Sequence, residues 1–103
     1  MIMKTTGYAY YLRVNIKPEK RSTFIELILK LREDTLREIE GVSFFELLAT
    51  ADAHEFVIMQ GFRDKDTYKR YANAPFHLAM APHGLACLAG EPHIEPLIPV
   101  ITA

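Results

Sequence analysis

A short segment in the last third of the chain gathers the side chains best suited to proton chemistry. Within seven residues, Tyr71, Asn73 and His77 supply a phenol, an amide and an imidazole, next to the ring of Phe76. We predict that His77 is a general base in a substrate pocket lined by Phe76, and that Tyr71 or Asn73 donates a hydrogen bond to a developing anion. The structural alternative places His77 on a helix surface and Tyr71 in the core with its hydroxyl at the edge.

Four other side chains could line the same pocket, and each has a structural alternative. His83 could face the pocket mouth or lie in a surface loop. Arg13 could stabilise an anion or lie in a subunit interface. Glu46 in an apolar strand would be a candidate base if buried, because burial raises a carboxyl pKa, or it could pair with Arg13 at an edge. Phe62 could line an aromatic pocket or pack in the core.

The remaining reactive residues do not form a metal or disulfide pattern. Cys87 is the only cysteine, which excludes a disulfide framework within the chain and is typical of a small buried hydrophobe. The four histidines have no close ligand spacing, and the chain has no HxxxH or CxxC motif. We therefore expect no metal and no cofactor.

Composition and charge limit the class of protein. A chain of 103 residues fits one domain over 1–103. A formal net charge of −1 without a basic stripe argues against a nucleic-acid partner. No apolar run approaches the roughly 20 residues that cross a bilayer, and the first residues lack a signal-peptide core. We therefore expect a cytoplasmic protein with no membrane association.

The elements that would position these residues follow from hydrophobic periodicity. Period-two alternation predicts a first strand, and a helical stripe follows it. A hairpin and two helical segments come next. The final extended stretch contains two prolines, and it is either an edge strand or a tail that lies across a second copy of the chain. In chain order these predictions cover 8–17, 19–39, 42–50, 55–62, 63–73, 76–88 and 93–100. This β-α-β-β-α-β order indicates a ferredoxin-like α+β fold with an antiparallel sheet.

The hairpin strands are apolar at successive positions, so both faces of the sheet should be covered. Phe44 is followed by Phe45, and Val57 is followed by Ile58 and Met59. Helices can cover one face only, and the other would expose a larger apolar patch than monomers usually carry. A second copy related by two-fold symmetry is the simplest cover, so we expect a homodimer.

The chain resembles the antibiotic biosynthesis monooxygenase family in the order and spacing of four segments. These are RVNIKPEKRSTF, REIEGVSFFELL, HEFVIMQGFRDKDTYKRYANAPFHLAM and GEPHIEPL. Three positions depart from the family pattern. The Glu-x-Trp-like strand end is replaced by Gln60, Gly61 and Phe62, the helix histidine by Tyr71, and the Pro-His-Phe order by Pro-Phe-His ending at His77.

The resemblance implies a dimeric α+β barrel with a cavity between the sheet and the helices of each protomer. It implies oxidation of a quinol-like or polycyclic aromatic molecule by O2, often without metal or flavin. A non-catalytic binding or stress-response dimer and an isomerase are alternatives on the same scaffold. Haem-degrading relatives use a tryptophan that this chain lacks, so haem degradation is not expected.

Overall fold

One antiparallel sheet and three helices make up the described residues, 5–100, of the computed structural model. The elements are β1 (Tyr8–Asn15), a 3-10 turn (Pro18–Lys20), α1 (Arg21–Glu38), β2 (Val42–Ala49), β3 (Glu55–Phe62), α2 (Lys65–Ala72), α3 (Pro75–Ala86) and β4 (His93–Leu97). The strand order is β2-β3-β1-β4, with every neighbouring pair antiparallel. The ferredoxin-like fold predicted from the sequence is therefore confirmed. Both ends of the predicted domain, 1–4 and 101–103, lie outside the described residues.

Alternation along β1 assigns its side chains to the two faces of the sheet. Val14 is buried, and Tyr10 and Leu12 pack with it against the core beneath the helices. β1 lies between β3 and β4, with Tyr10 opposite Gln60 on one side and Pro96 on the other. Tyr10 and Gln60 therefore share the helix-covered face of the sheet, although distant parts of the chain supply them.

The first helix packs on this face through a stripe of residues spaced three and four apart. Phe24, Ile28 and Leu31 are buried against the sheet, as their periodicity predicts. The connection to β2 turns at Gly41, whose φ of 95° lies in the left-handed region that glycine tolerates best. No helix among residues 5–100 is both long and apolar enough to cross a membrane.

The second helical region consists of two helices separated by a break. Asp64 caps α2, since its Oδ1 accepts hydrogen bonds from the Thr67 backbone N–H at 2.8 Å and from the Thr67 hydroxyl at 2.7 Å. The helical backbone is interrupted at Ala74, which is extended, and α3 begins at Pro75. Proline suits the first position of a helix because the N–H group it lacks would have no partner within the helix. The helix continues through Pro82, so it is less interrupted than the sequence predicts. After the break, α3 packs against α1.

The opposite face of the sheet carries no helix within the described chain. We call it the outer face. Its larger apolar side chains, all half-buried or exposed, are Tyr11, Phe44, Leu48, Val57, Met59 and Leu97. The Phe44 ring lies directly over Gly61, where any Cβ would collide with it. Within one chain, the hairpin strands are therefore covered on one side only.

Candidate functional site

A cavity of about 390 Å³ lies between the helix-covered face of the sheet and the helices. Apolar side chains from all four strands and from α1 and α3 form most of its wall. Its polar positions include Tyr10, Gln60, Tyr71 and His77. A mostly apolar cavity of this size with a few polar groups is typical of a small-molecule site.

Tyr10 and Gln60 form a hydrogen-bonded pair in the cavity wall. The Tyr10 hydroxyl donates to Gln60 Oε1 at 2.5 Å. Burial raises the pKa of Tyr10, and the neighbouring tyrosines add to the rise, so the phenol stays protonated near neutral pH. Gln60 is only 3% exposed, and its Nε2 has no hydrogen-bond partner among the described residues. The pair therefore leaves both N–H donors of the Gln60 amide unused.

Tyr71 places a second protonated phenol beside this pair. It is buried in α2 and packs against Phe62, with ring centroids 5.5 Å apart. Burial raises the pKa of Tyr71 to about 12. The Gln60 side chain partly opposes the rise because it lies close to the Tyr71 hydroxyl, although the two groups do not meet hydrogen-bond geometry. The Tyr71 hydroxyl is therefore a hydrogen-bond donor, and not a base, at neutral pH.

His77 is the group in this wall that can accept a proton near neutral pH. Its ring lies 4.6 Å from the Tyr71 ring, and its Nδ1 lies 3.0 Å from the Ala72 carbonyl oxygen. A carbonyl oxygen can only accept, so Nδ1 carries the proton and Nε2 has the free lone pair of the neutral ring. Burial lowers the pKa of His77, against a smaller opposite effect of the Ala72 hydrogen bond. The neutral, basic form is therefore favoured.

Three of the predicted pocket residues on or near α3 lie away from this cavity. Asn73 ends α2, and its Nδ2 donates to the Lys69 carbonyl at 2.8 Å. His83 is exposed on α3. Phe76 borders a separate groove between α1 and α3. A helix turns 100° per residue, so the turn that aims His77 at the cavity directs its neighbours elsewhere.

The strand residues predicted to line the pocket are also placed differently. Phe62 is 0% exposed and lies in the core, beneath the aromatic rings rather than in the cavity wall. Arg13 is exposed on the outer face. Glu46 is exposed as well, and its Oε1 lies 3.7 Å from Nη2 of Arg32, not beside the predicted Arg13. The burial that would make Glu46 a base is therefore absent.

The Tyr10–Gln60 pair was not predicted from the sequence. A signal for Gln60 exists: among the inward-facing positions of β3, it is the polar residue between Ile58 and Phe62. A polar side chain on the buried face of a strand needs a partner or a function. Pairing it with Tyr10 requires the register of β1 with β3, which local patterns do not supply.

No three His, Cys, Asp or Glu side chains come together as a metal-binding group in the described part of the chain. Cys87 is buried, and its thiol donates to the His83 carbonyl oxygen at 3.4 Å. The polar groups in the cavity wall include an imidazole, phenols and an amide.

Several solved structures share this fold. A Caulobacter crescentus protein proposed to be an antibiotic biosynthesis monooxygenase superimposes with a TM-score of 0.88 at 17% identity, covering 96% of this chain and 94% of that one. Rv0793 of Mycobacterium tuberculosis superimposes with a TM-score of 0.83 at 22% identity, covering 93% of this chain and 97% of that one. A conserved protein of Methanosarcina mazei has a TM-score of 0.83 at 19% identity, covering 92% of this chain and 94% of that one. Among curated proteins, no sequence matched this chain.

The sequence profile of the antibiotic biosynthesis monooxygenase family matches residues 8–82. This match runs from the start of β1 into α3. It includes four polar positions of the cavity wall, namely Tyr10, Gln60, Tyr71 and His77. The chain therefore belongs to the antibiotic biosynthesis monooxygenase family.

Proposed function

We propose that the protein is a cofactor-independent monooxygenase that oxidises a quinol-like or polycyclic aromatic molecule with O2. Family membership supports a monooxygenase-like function. The apolar wall of the cavity suits a flat aromatic ligand. The observation on which the proposal depends is the imidazole of His77 in the wall of that cavity. Its Nδ1 contacts the Ala72 carbonyl oxygen, and its ring lies 4.6 Å from the Tyr71 ring.

The proposed reaction begins with proton transfer from a substrate hydroxyl to Nε2 of His77. The resulting phenolate is electron-rich enough to react with O2, and Tyr71 donates a hydrogen bond to the negative oxygen. One oxygen atom is inserted into a ring C–H bond and the other leaves as water. For a hydroquinone the products are a hydroxyquinone and water, so the substrate supplies all four electrons and no other reductant is required. The apolar wall limits water and strengthens these interactions.

Oxygen uptake with a panel of hydroquinones in metal-free buffer tests this proposal. We expect saturable uptake above the uncatalysed rate for at least one compound, one O2 consumed per hydroquinone, and no hydrogen peroxide. Peroxide formation would indicate simple autoxidation instead. Binding without uptake would support the non-catalytic alternative, a ligand-binding dimer. Ring rearrangement without oxygen would support an isomerase.

We also infer that the working form is a homodimer joined through the outer faces. The apolar side chains Tyr11, Phe44 and Met59 lie at the centre of this face, and charged residues share the face with them. The chain beyond β4 adds Ile98 and Val100, which are 86% and 98% exposed. Exposed apolar surface of this kind is typical of an interface, and pairing two such faces would form a barrel.

Substituting Met59→Lys should disrupt this dimer. A lysine at the centre of the interface would lose its hydration, and the carboxylate of Glu46 opposite it on β2 already faces Arg32. We therefore expect the dimer dissociation constant to rise at least about 100-fold. Sedimentation equilibrium measures this against the chain mass of 11.8 kDa. The matched control is Leu29→Lys on α1, where the side chain is 50% exposed, and the control should remain dimeric. A monomeric wild-type protein, or equal effects of the two lysines, would contradict the inference.

A further inference from the structure

The most informative unexplained group in the molecule is the side-chain amide of Gln60. It is 3% exposed and faces the cavity, yet its Nε2 has no partner among the residues described. We propose that Nε2 of Gln60 donates a hydrogen bond to a ketone oxygen of the ligand, so that the cavity selects aromatic ketones, including hydroxyaryl ketones. This inference rests on the proposed function because it names the substrate class of the same cavity.

The hydrogen bond from Tyr10 identifies which end of the Gln60 amide is free. The buried Tyr10 phenol stays protonated and needs an acceptor, which is the Gln60 carbonyl oxygen Oε1. The 2.5 Å separation fits an O–H···O hydrogen bond and is too short for an N–H group facing the phenol oxygen. The amide is therefore held with its N–H groups available to the ligand.

A buried donor without an acceptor is unfavourable, and native proteins rarely keep one without a role. A bound oxygen atom with lone pairs would satisfy the Gln60 N–H group. Tyr71, beside Gln60, adds a protonated hydroxyl to the same region. This part of the wall therefore offers donors, whereas Nε2 of His77 offers an acceptor.

A ketone oxygen matches the donor region better than a second hydroxyl group does. It has two lone pairs, which can accept from Gln60 and Tyr71 together, and it has no proton of its own to place. When His77 removes a proton from a conjugated hydroxyl group, negative charge moves onto the ketone oxygen. The two donors would then bind the anion more strongly than the neutral ligand.

The test compares two ligands that differ only in the ketone. These are 6-hydroxy-1-tetralone and its parent phenol without the ketone, tetrahydro-2-naphthol. Dissociation constants are measured by calorimetry under nitrogen, so that no turnover occurs. We expect wild-type protein to bind the ketone about tenfold more tightly, as one hydrogen bond supplies.

The Gln60→Met variant keeps the side-chain length and removes the amide. It should lose the tenfold preference while binding the parent phenol within about twofold of wild type. Leu12→Met, another position in the cavity wall, is the matched control and should keep the preference. No preference in wild type, or a preference that survives in Gln60→Met, would overturn the inference.

Should Gln60→Met fail to fold, the wild-type protein still provides a decisive measurement. Gln60 is the only glutamine in the sequence, so selective nitrogen labelling of glutamine gives one pair of Nε2 proton signals. These signals should shift with the ketone and stay in place with the parent phenol. Signals that the ketone does not move would overturn the inference. Failure of the oxygen-uptake test does not affect this result, since binding is read without turnover.

Discussion

Replacing His77 with glutamine should lower the maximal rate of oxygen uptake by about 10²- to 10⁴-fold, the usual contribution of a positioned general base. Glutamine can form a hydrogen bond but cannot accept the substrate proton. The dissociation constant of the aromatic ligand should change by less than about tenfold, because the apolar wall provides most of the binding. Initial rates measured with an oxygen electrode on the best hydroquinone of the panel give the comparison.

His83→Gln is the matched control for this substitution. It makes the same chemical change on the same helix, but its side chain is exposed and does not line the cavity. Oxygen uptake should remain within about twofold of wild type, as expected for a surface substitution away from the site. Equal losses in the two variants would show that His77 does not act as the base.

The pH dependence of the wild-type enzyme provides an independent reading of the same group. Burial lowers the pKa of His77 below its ordinary value of 6.5, so the base is present at neutral pH. The kcat/KM value should be constant near neutral pH and should fall tenfold per pH unit below the lowered pKa of His77. His77→Gln should lack this decrease. Because the unfolded chain binds the proton more readily, the free energy of unfolding should also decrease as pH falls below 6.5, until the folded-state pKa is reached.

Replacing Phe62 with alanine should reduce the free energy of unfolding by about 3–5 kcal/mol, a large fraction of a typical domain's stability. Phe62 is fully buried, with its ring centroid 5.5 Å from those of both Tyr68 and Tyr71. The surrounding rings are held by β1 and α2 and can close the resulting void only partly. Urea unfolding followed by circular dichroism measures the loss, at one protomer concentration because dimerisation adds to stability.

Phe76→Ala provides the comparison, since Phe76 is only half-buried beside the groove between α1 and α3. It should cost roughly half as much or less, because less apolar surface leaves water there on folding. A Phe62→Ala variant with normal stability and weaker ligand binding would instead support a role for Phe62 in the pocket lining. Phe62→Leu, which leaves a smaller void, serves if the alanine variant does not fold.

Local sequence patterns determined the elements of this fold and most of their boundaries. The predicted strand over 55–62 coincides with β3, and the period-two alternation of 8–17 places β1 correctly because side chains on a strand alternate between faces. Pro75 marked the start of α3, since proline disfavours helical backbone in the residue before it. These signals arise from residues close in sequence, so the sequence alone contains them.

Within the candidate site, the sequence determined Tyr71 and His77 but not their polar partners. Tyr71 and His77 are six positions apart, and Pro75 between them predicts the end of one helix and the start of the next. Asn73 lies between them, yet its amide turns back to the Lys69 carbonyl and leaves the cavity. The direction of a side chain around a helix end depends on how that helix packs, which nearby residues do not specify.

Only the tertiary structure decided which side chains meet. Tyr10 and Gln60 are 50 positions apart and form their hydrogen bond because β1 and β3 pair in one register. A shift of one residue would move Gln60 to the outer face and remove the free amide donor from the cavity. The periodicity of the sequence therefore determined the helices and strands, because it arises from residues that are close together in the chain. The site depends on long-range strand pairing and helix packing, which set distances between residues that the sequence holds far apart.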